Sequence, residues 1–335
     1  MYVRLTVFFL RTLPVAIILG TLLGLIIGEF GYWFGIFIVL GLHPLMDQFF
    51  QDLKIEDTAQ SLAWMKFQVY LYPIIQTALL FIGALRFSNE SLANQIVIFL
   101  STGLVTGGIG ITLAHECVHR SQKIQRGIGL FLLSQVNYCH FRIEHIYGHH
   151  SRVGTMEDPA TARLNEGLYQ FVPRTIFMGL HSAWLFESKR TKKSPFYTHR
   201  FLHYFLFQSF WIGLFYLFFR LDGVIFFLLQ SLIAIILLET VNYIEHYGLV
   251  RNTQANGKLN PVESKHSWDS SFTLTNMTLF NLGRHAHHHL SAHEDATKLK
   301  NDSSAQQLPV GYSLAILIAF IPPLWRRIIH PVMRP

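Results

Sequence analysis

Cysteine is scarce in this sequence of 335 residues, which contains only Cys117 and Cys139. Two thiols exclude a disulfide framework, a zinc fold built on cysteines and an iron–sulfur domain with four thiolate ligands. No motif for a flavin or a nicotinamide is present either. A redox reaction on this chain would therefore need a separate protein to deliver its electrons.

Charge is also scarce. Charged residues make up 14% of the chain, against roughly 25% in soluble domains, and the mean hydropathy is +0.32. So few charges cannot cover the surface of a soluble protein of this length, so we expect lipid around much of it. The net charge of +7 would also suit a protein that binds nucleic acid. In a lipid-embedded chain it indicates basic cytoplasmic loops instead, and we expect no nucleic-acid partner.

Six apolar segments predict transmembrane helices, because most approach the roughly 20 residues needed to cross a bilayer. The first is too long for a cleaved signal peptide and continues almost directly into the second. Two shorter apolar runs, residues 127–139 and 310–325, are predicted to be re-entrant or interfacial. The six predicted spans are residues 7–28, 32–46, 67–85, 92–114, 201–219 and 223–238.

The distribution of basic residues predicts the orientation. With the N-terminus in the cytoplasm, the connections near Glu29, residues 86–90 and residues 220–222 lie outside and hold two of the 27 lysines and arginines. The positive-inside rule favours this arrangement, with both termini cytoplasmic. We therefore expect one all-α domain, with six transmembrane helices and a histidine-rich cytoplasmic cap formed by residues 115–200 and 241–335.

Most of the chemistry in the sequence lies in its histidines, which cluster in three short stretches. The first contains His115 and His119, and a spacing of four residues places both rings on one face of a helix. This H-E-x-x-H pattern also occurs in zinc proteases, where Glu116 would be the general base and one further ligand would suffice. The motif alone leaves both interpretations open.

The second stretch repeats the four-residue spacing with His145 and His149 and adds His150 about a quarter-turn round the helix, so one helix could serve two metals. The third stretch, residues 284–289, contains the same offsets. His246 follows the sixth predicted span at the depth at which His115 follows the fourth. Together these stretches supply more imidazoles than one ion needs. Iron, zinc and copper all accept nitrogen ligands, so the residues do not name the metal.

At these motifs the sequence resembles the integral-membrane non-haem di-iron hydroxylases, specifically the AlkB-type alkane monooxygenases, which are related to the membrane fatty acid desaturases. The string N-Y-x-E-H-Y-G-L at residues 242–249 distinguishes alkane hydroxylases from desaturases in this family. The departures from the family pattern are Cys117 and Val118 in place of Leu-Gly, Gly283 in place of Gln, and His287 in place of Asp. The resembling strings, which cover almost the whole chain, are H-E-C-V-H (115–119), E-H-I-Y-G-H-H (144–150), D-P-A-T-A-R (158–163), N-Y-I-E-H-Y-G-L (242–249), H-S-W (266–268) and L-G-R-H-A-H-H-H (282–289).

The resemblance implies a ligand set for two iron ions and a set of residues that contact and orient the ligands. For each carboxylate among the orienting residues, the alternative is a side chain that is solvated or forms a salt bridge. We assign His287 to the surrounding residues rather than to the ligands. The implied ligands are His115, His119, His145, His149, His150, His246, His285, His288 and His289; the implied surrounding residues are Glu116, Glu144, Asp158, Glu245, Asp269, His140, His266 and His287.

The resemblance further implies O2-dependent hydroxylation of linear alkanes to 1-alcohols in a bacterial inner membrane. The electrons would come from rubredoxin, reduced by an NAD(P)H-dependent rubredoxin reductase. An alkane has no polar handle, so a narrow apolar channel must position it. Candidate lining residues are Val39, Leu40, Tyr70 and Ile74, with lipid-facing packing as the alternative. Candidate residues for docking the acidic carrier, or anionic lipid, are Arg152, Lys189, Arg190, Lys192 and Lys193.

Several alternatives stay open at this point. A hydroxylase of an alkylbenzene methyl group, a fatty acid or a terpene fits the same pattern, and so does a desaturase, which would form a double bond instead of a terminal alcohol. An intramembrane zinc protease would leave six of the matching histidines unused. A metal carrier would need acidic or histidine ligands within the apolar spans, and the sequence places no cluster of them there.

Overall fold

The computed structural model of the protein describes residues 2–51 and 57–334. This part of the chain is predominantly helical, with one two-stranded parallel sheet, β1 (Trp268–Asp269) and β2 (Gln306–Gln307). Its helices are α1 (Tyr2–Leu10), α2 (Leu13–Ile27), α3 (Glu29–Asp47), α4 (Ala59–Phe87), α5 (Leu92–Val118), α6 (Lys123–Ser134), α7 (residues 141–152), α8 (Leu168–Thr191), α9 (Arg200–His246), α10 (Thr273–Thr278), α11 (His285–Leu290), α12 (Tyr312–Ala319) and α13 (Pro322–Ile329).

Four of these helices, α3, α4, α5 and α9, are long and apolar enough to cross a membrane, and α2 is a shorter apolar helix. Helix α9 has 47 residues and is interrupted at Arg220, whose backbone is not helical (φ 56°, ψ −146°). Its two arms coincide with the fifth and sixth predicted spans, and each is long enough to cross by itself. The helical fold class is thus confirmed, whereas six crossings and the cytoplasmic orientation stay predictions.

The first predicted span differs from a continuous helix over residues 7–28. Helix α1 ends at Leu10 and α2 begins at Leu13, with Pro14 in its first turn, where the missing N–H costs nothing. Between the two helices the buried Arg11 guanidinium donates to both oxygens of Asp57, at 3.1 and 2.7 Å. It also donates to the side-chain oxygen of Asn281, at 3.3 Å. The break therefore ties the N-terminal helices to the segment that leads into α11.

Three π-helical turns widen the helices: Phe37–Leu42 in α3, Thr106–Ile111 in α5 and Glu144–His149 in α7. Such turns are rare and often occur at functional sites. The turn in α5 contains Gly107, where a Cβ atom would lie 2.7 Å from the Cα of Ala234 in α9. Only glycine allows α5 and α9 to pack this closely, and this contact brings the C-terminal ends of both helices together.

Two clusters of buried apolar side chains hold the fold. One fills the space between the candidate spans, and the other surrounds the C-terminal end of α9 with Trp268, Tyr312 and Trp325. The two shorter apolar runs of the sequence, residues 127–139 and 310–325, contain most of α6, all of α12 and the first residues of α13. These helices have 12, 8 and 8 residues, respectively. All three helices are too short to cross a bilayer.

Candidate metal centre

One group of four histidines gathers at the C-terminal end of α5. One ring nitrogen from each of His115, His119, His145 and His288 lies within 4.8 Å of the others. The first two stand one turn apart at the end of α5, as their spacing predicts, while the others come from α7 and α11. The Nε2 atoms of His115 and His119 are buried and have no hydrogen-bond partner among the described residues. These nitrogens are therefore free to bind a cation.

A second group lies beside the first and consists of His149, His246, His285 and His289, again with ligand atoms within 4.8 Å of one another. The Nε2 atom of His289 is 3.2 Å from that of His149 and 3.0 Å from that of His285. The Nε2 atoms of His246 and His285 are 3.1 Å apart. Four distant parts of the chain thus meet in one site.

His150 lies between the groups. Its Nε2 atom is 3.0 Å from that of His145 and 3.3 Å from that of His288, and its ring centroid is 4.5 Å from that of His289. All nine histidines implied as ligands by the resemblance are therefore placed together. Their roles as iron ligands stay a proposal.

The wide turn in α7 distributes its histidines differently from the α-helical spacing assumed for the sequence. That spacing pairs His145 with His149, whereas the π-helical turn over Glu144–His149 places the Nε2 atom of His145 3.0 Å from that of His150. His149 is directed into the second group instead. The residue pattern contains no signal that distinguishes a π turn from an α turn, so only the fold reveals this division.

Acceptors on the far side of two rings fix how these imidazoles are protonated. Nδ1 of His149 lies 2.8 Å from the Asp158 carboxylate, and Nδ1 of His246 lies 3.1 Å from the carbonyl oxygen of His266. Since these oxygens only accept, Nδ1 carries the hydrogen and Nε2 is left with a bare lone pair. Two lone pairs therefore point into the second group, and Nδ1 of His285 lies 3.2 Å from the Glu245 carboxyl group without forming a hydrogen bond to it.

The geometry of the nitrogens fits bound cations. The Nε2 atoms of His149 and His289, of His246 and His285, and of His285 and His289 are 3.0–3.2 Å apart. Two imidazole nitrogens bound at right angles to one ion, each about 2.1 Å from it, are about 3.0 Å apart. Burial lowers the pKa of His145, His285 and His289 well below its usual value, which keeps these rings in the neutral form that binds metals. The donor set thus fits two metal ions.

Asp158 is positioned to remain a carboxylate. Burial by itself would raise its pKa, but the neighbouring His149 and the hydrogen bonds from His149 and Thr161 outweigh burial and lower the pKa below its usual value. The Thr161 hydroxyl donates to it at 2.6 Å, and the Ala160 amide donates at 3.1 Å. Asp158 therefore supports the ring of His149 from a fixed position.

The other acidic residues implied around the ligands have different partners. Glu116 pairs with Arg120 and accepts from the Ala296 amide at 2.9 Å, so its bonds go to the chain around the site. Glu144 pairs with Arg152 at 2.7 Å, and burial raises its pKa to about 7. Asp269 accepts from the Ala286 amide at 2.7 Å and so caps the first turn of α11; burial raises its pKa to about 7 as well.

The three histidines implied as surrounding residues, His140, His266 and His287, lie outside both groups. The ring of His140 packs against Tyr138, with ring centroids 4.4 Å apart. His266 supports His246 through its carbonyl oxygen, while its ring accepts from the Glu263 amide at 2.9 Å. His287 is half-buried and its Nδ1 atom is without a hydrogen-bond partner among the described residues.

An apolar cavity connects the candidate spans with both histidine groups. Val39 and Leu40 line it, and their contact with a substrate stays a prediction. Tyr70 and Ile74 do not line this cavity, so their placement in it is corrected: they lie on the outer face of α4 with 44% and 68% of their surface exposed. A helix that is apolar all round does not reveal from sequence which face points inward. From α2 to α12 the cavity contacts Ile17, Val39, Leu238, His115, His145, His285 and Ile316, among others.

Two features of this cavity were not anticipated. His43, which belongs to none of the histidine stretches in the sequence, lines its wall, with ring nitrogens 3.0 Å from the Thr278 hydroxyl and 2.8 Å from the Ser313 hydroxyl. Asn242 lines it as well, next to a buried carboxyl group, Glu239, that no motif of the sequence marks. One sequence feature alone could have pointed to Glu239, which is its position. It lies one turn before Asn242, on the face of α9 that leads to His246.

The basic residues predicted to receive an electron carrier are only partly available. Arg152 is paired with Glu144, and Arg190 is paired with Glu187 at 2.5 Å. The other three, Lys189, Lys192 and Lys193, are exposed at the C-terminal end of α8 and just beyond it. A positive patch thus remains there at reduced strength.

Comparison with known proteins connects this geometry with a family. The family model described as fatty acid desaturase matches residues 92–299, the part of the chain that holds all nine histidines. Alkane 1-monooxygenase 2 of Pseudomonas aeruginosa is 36% identical over 316 residues, covering 90% of this chain and 84% of that protein. Alkane 1-monooxygenase 2 of Alcanivorax borkumensis is 33% identical over 317 residues, covering 90% and 83%. The xylene/toluene monooxygenase hydroxylase component XylM of Pseudomonas putida is 24% identical over 243 residues, covering 68% and 61%.

Proposed function

Since this chain belongs to the fatty acid desaturase family and, within it, to the AlkB-type alkane monooxygenases, we propose that it hydroxylates linear alkanes with O2 to give 1-alcohols. The observation that carries this proposal is the apolar cavity, which extends from side chains deep in the candidate spans to His115, His145 and His285. It therefore reaches both histidine groups. An apolar substrate entering from lipid would meet the metal centre end-on.

The proposed cofactor is a pair of non-haem iron ions, one in each histidine group, with His150 between them. When bound, the iron pair would supply the activation of O2 that an unreactive C–H bond requires. The protein would hold the pair with neutral imidazoles, while Asp158 and the carbonyl of His266 fix the rings of His149 and His246. Rigid rings keep the ligand nitrogens in place as the charge at the centre changes.

The wall of the apolar cavity positions the substrate. An alkane offers no group for a hydrogen bond, so its reacting carbon must be selected by shape alone. Side chains such as Ile17, Val39 and Leu238 form an apolar wall that excludes water and holds the chain extended. The end of the chain then lies against the histidine groups, which favours attack on the terminal carbon.

Electrons are proposed to come from rubredoxin, reduced by an NAD(P)H-dependent reductase, on the cytoplasmic side of a bacterial inner membrane. The chain has too few cysteines for an iron–sulfur relay of its own. The exposed Lys189, Lys192 and Lys193 would attract an acidic carrier to the cap. Such steering predicts reduced association at high salt.

The direct test is product analysis in a host that lacks its own hydroxylase, fed with alkanes of graded length. We expect 1-alcohols by gas chromatography, dependent on O2 and reduced rubredoxin, and about two irons per purified chain because the histidines form two groups. Products from an alkylbenzene, a fatty acid or a terpene alone would redirect the substrate assignment, and a double bond would indicate a desaturase. Stoichiometric zinc with peptide cleavage would refute the proposal.

Narrowing the cavity should shorten the range of accepted alkanes. Val39→Phe adds a ring to the cavity wall, so the longest substrates should lose about 10-fold or more in conversion relative to the shortest, as expected for excess bulk in an apolar pocket. Ile74→Phe is the matched control, because it places the same ring on the outer face of α4. The ratio of long-chain to short-chain products is the measurement. An unchanged ratio for Val39→Phe would show that the cavity does not hold the substrate.

A further inference from the structure

A second, small cavity, here named the polar chamber, lies against the histidine groups. It touches His145 of the first group and His149 of the second. Its wall contains two carboxylic residues, Glu144 and Glu239, and the phenol of Tyr138. The apolar cavity and the polar chamber thus reach the same centre, and the chamber brings two carboxyl groups to it.

A thin wall separates the two spaces. Phe141, His145 and Asn242 line both of them. Substrate held on the apolar side would therefore be separated by one layer of side chains from polar groups on the other side. A reaction that consumes protons needs such an arrangement, because the apolar wall that excludes water from the substrate also excludes the usual source of protons.

Glu239 is the more buried of the two carboxylic residues in the chamber, with 2% of its surface exposed. Its carboxyl oxygens have three hydrogen-bond partners: the Tyr138 hydroxyl at 2.7 Å, the Thr175 hydroxyl at 3.0 Å and the Asn242 amide at 3.0 Å. All three partners are neutral, and no lysine or arginine of the described residues forms an ion pair with it. A buried carboxylate without a counter-charge is costly, so the carboxyl group holds a proton that the hydroxyl groups of Tyr138 and Thr175 can rotate to accept.

Glu144 connects the chamber with a residue at the surface. Its Oε2 atom is buried and lacks a hydrogen-bond partner among the described residues, and Glu144 belongs to the wall of the chamber. A water molecule in this space would bond to such an oxygen. The other oxygen of Glu144 pairs with Arg152, whose side chain is 20% exposed. Water in the chamber would therefore link the surface at Arg152 with Glu239.

We propose that the polar chamber is the proton route of the reaction and that Glu239 passes the protons from it toward the metal centre. This inference rests on the proposed function. One oxygen atom of O2 enters the C–H bond and the other leaves as water, so each turnover takes up two electrons from the carrier protein and two protons. The Glu239 carboxyl group gives its proton to the departing oxygen atom through water in the chamber. It regains a proton from the cytoplasm along the side of the chamber formed by Glu144 and Arg152.

The first test is Glu239→Gln, which keeps the shape and the hydrogen bonds but cannot pass a proton. We expect kcat to fall about 10²-fold, in the range of a lost proton-transfer group, with KM for the alkane and the iron content unchanged. The solvent deuterium isotope effect on kcat should rise, and more O2 should be consumed per alcohol formed. Glu239→Asp should restore part of the activity. The matched control is Glu157→Gln, an exposed carboxyl group outside the chamber, which should change none of these quantities.

The second test does not depend on turnover. The infrared difference spectrum between resting wild type and Glu239→Gln should contain the carbonyl stretch of one protonated carboxylic acid, and this band should shift in D2O. Should Glu239→Gln fail to fold, Tyr138→Phe removes the 2.7 Å hydrogen bond instead and should move the band and weaken the coupling of O2 use to alcohol.

The possible failures are separable. Normal alcohol formation without the acid band, or Glu239→Gln with wild-type coupling and isotope effect, overturns the proton route alone. Absence of alcohol from the wild type in the presence of O2, iron and reduced carrier overturns the proposed function, and the route with it.

Discussion

Replacing His246 by alanine is expected to abolish alcohol formation while leaving the protein inserted and helical. His246 supplies one of the four nitrogens of the second histidine group, and the carbonyl of His266 directs its Nε2 atom toward His285. Without it, the group keeps three nitrogens around an enlarged, buried space. Alanine favours the helix, so α9 should persist. The expected result is a loss of activity to background and of about one iron per chain from the second group, measured by gas chromatography and metal analysis.

His293→Ala provides the control for this prediction. It is the same substitution at an exposed histidine that belongs to neither group. Activity and metal content should stay at the wild-type level. Full activity in the His246 variant would show that the second group holds no essential metal. An equal loss in both variants would show that the effect is a general one on folding.

Asp158→Asn is expected to produce the second-largest effect, a loss of 10–100-fold in iron affinity or in kcat, the usual range for removing a carboxylate that supports a ligating histidine. Asparagine has the same size and can still accept a hydrogen bond from His149 Nδ1. What disappears is the negative charge 2.8 Å from that atom. The imidazole becomes a weaker donor to the metal as a result. Titration of the metal-depleted protein with ferrous iron measures the affinity, and steady-state alcohol formation measures kcat.

Asp222→Asn is the matched control, because Asp222 is exposed just past the break in α9. It should bind iron and form alcohol as the wild type does. The interpretation of Asp158 would be wrong if its amide variant kept full iron affinity and activity. A loss in both variants would indicate an effect of net charge.

The histidines of the candidate site could be found from the sequence because their signal is local. A spacing of four residues places His115 beside His119, and His285 beside His289, whenever the segment is helical. The structure places both pairs as expected. The low charge and long apolar runs likewise indicated helices that could cross a membrane.

Other features could not be found because they depend on contacts between distant residues. The break at Arg11 forms where a buried cation meets Asp57 and Asn281, far away in the chain. The inward face of α4 is chosen by its neighbours, which leaves Tyr70 and Ile74 on the outside. Glu239 could not be singled out from the sequence, because its hydrogen-bond partners Tyr138 and Thr175 are distant in the chain and meet it only in the folded protein.

The amino-acid order by itself determined the candidate metal-binding histidines, the helical class and the low charge that favours lipid, since these follow from residue type and from spacing within a few turns. The packing of the folded chain settled how the nine imidazoles divide. The π turn over Glu144–His149 sends His145 and His149 to different groups, and a polar chamber and an apolar cavity form on either side of Asn242. Helical periodicity specifies which side chains share a face, but only the approach of one helix to another specifies what that face meets.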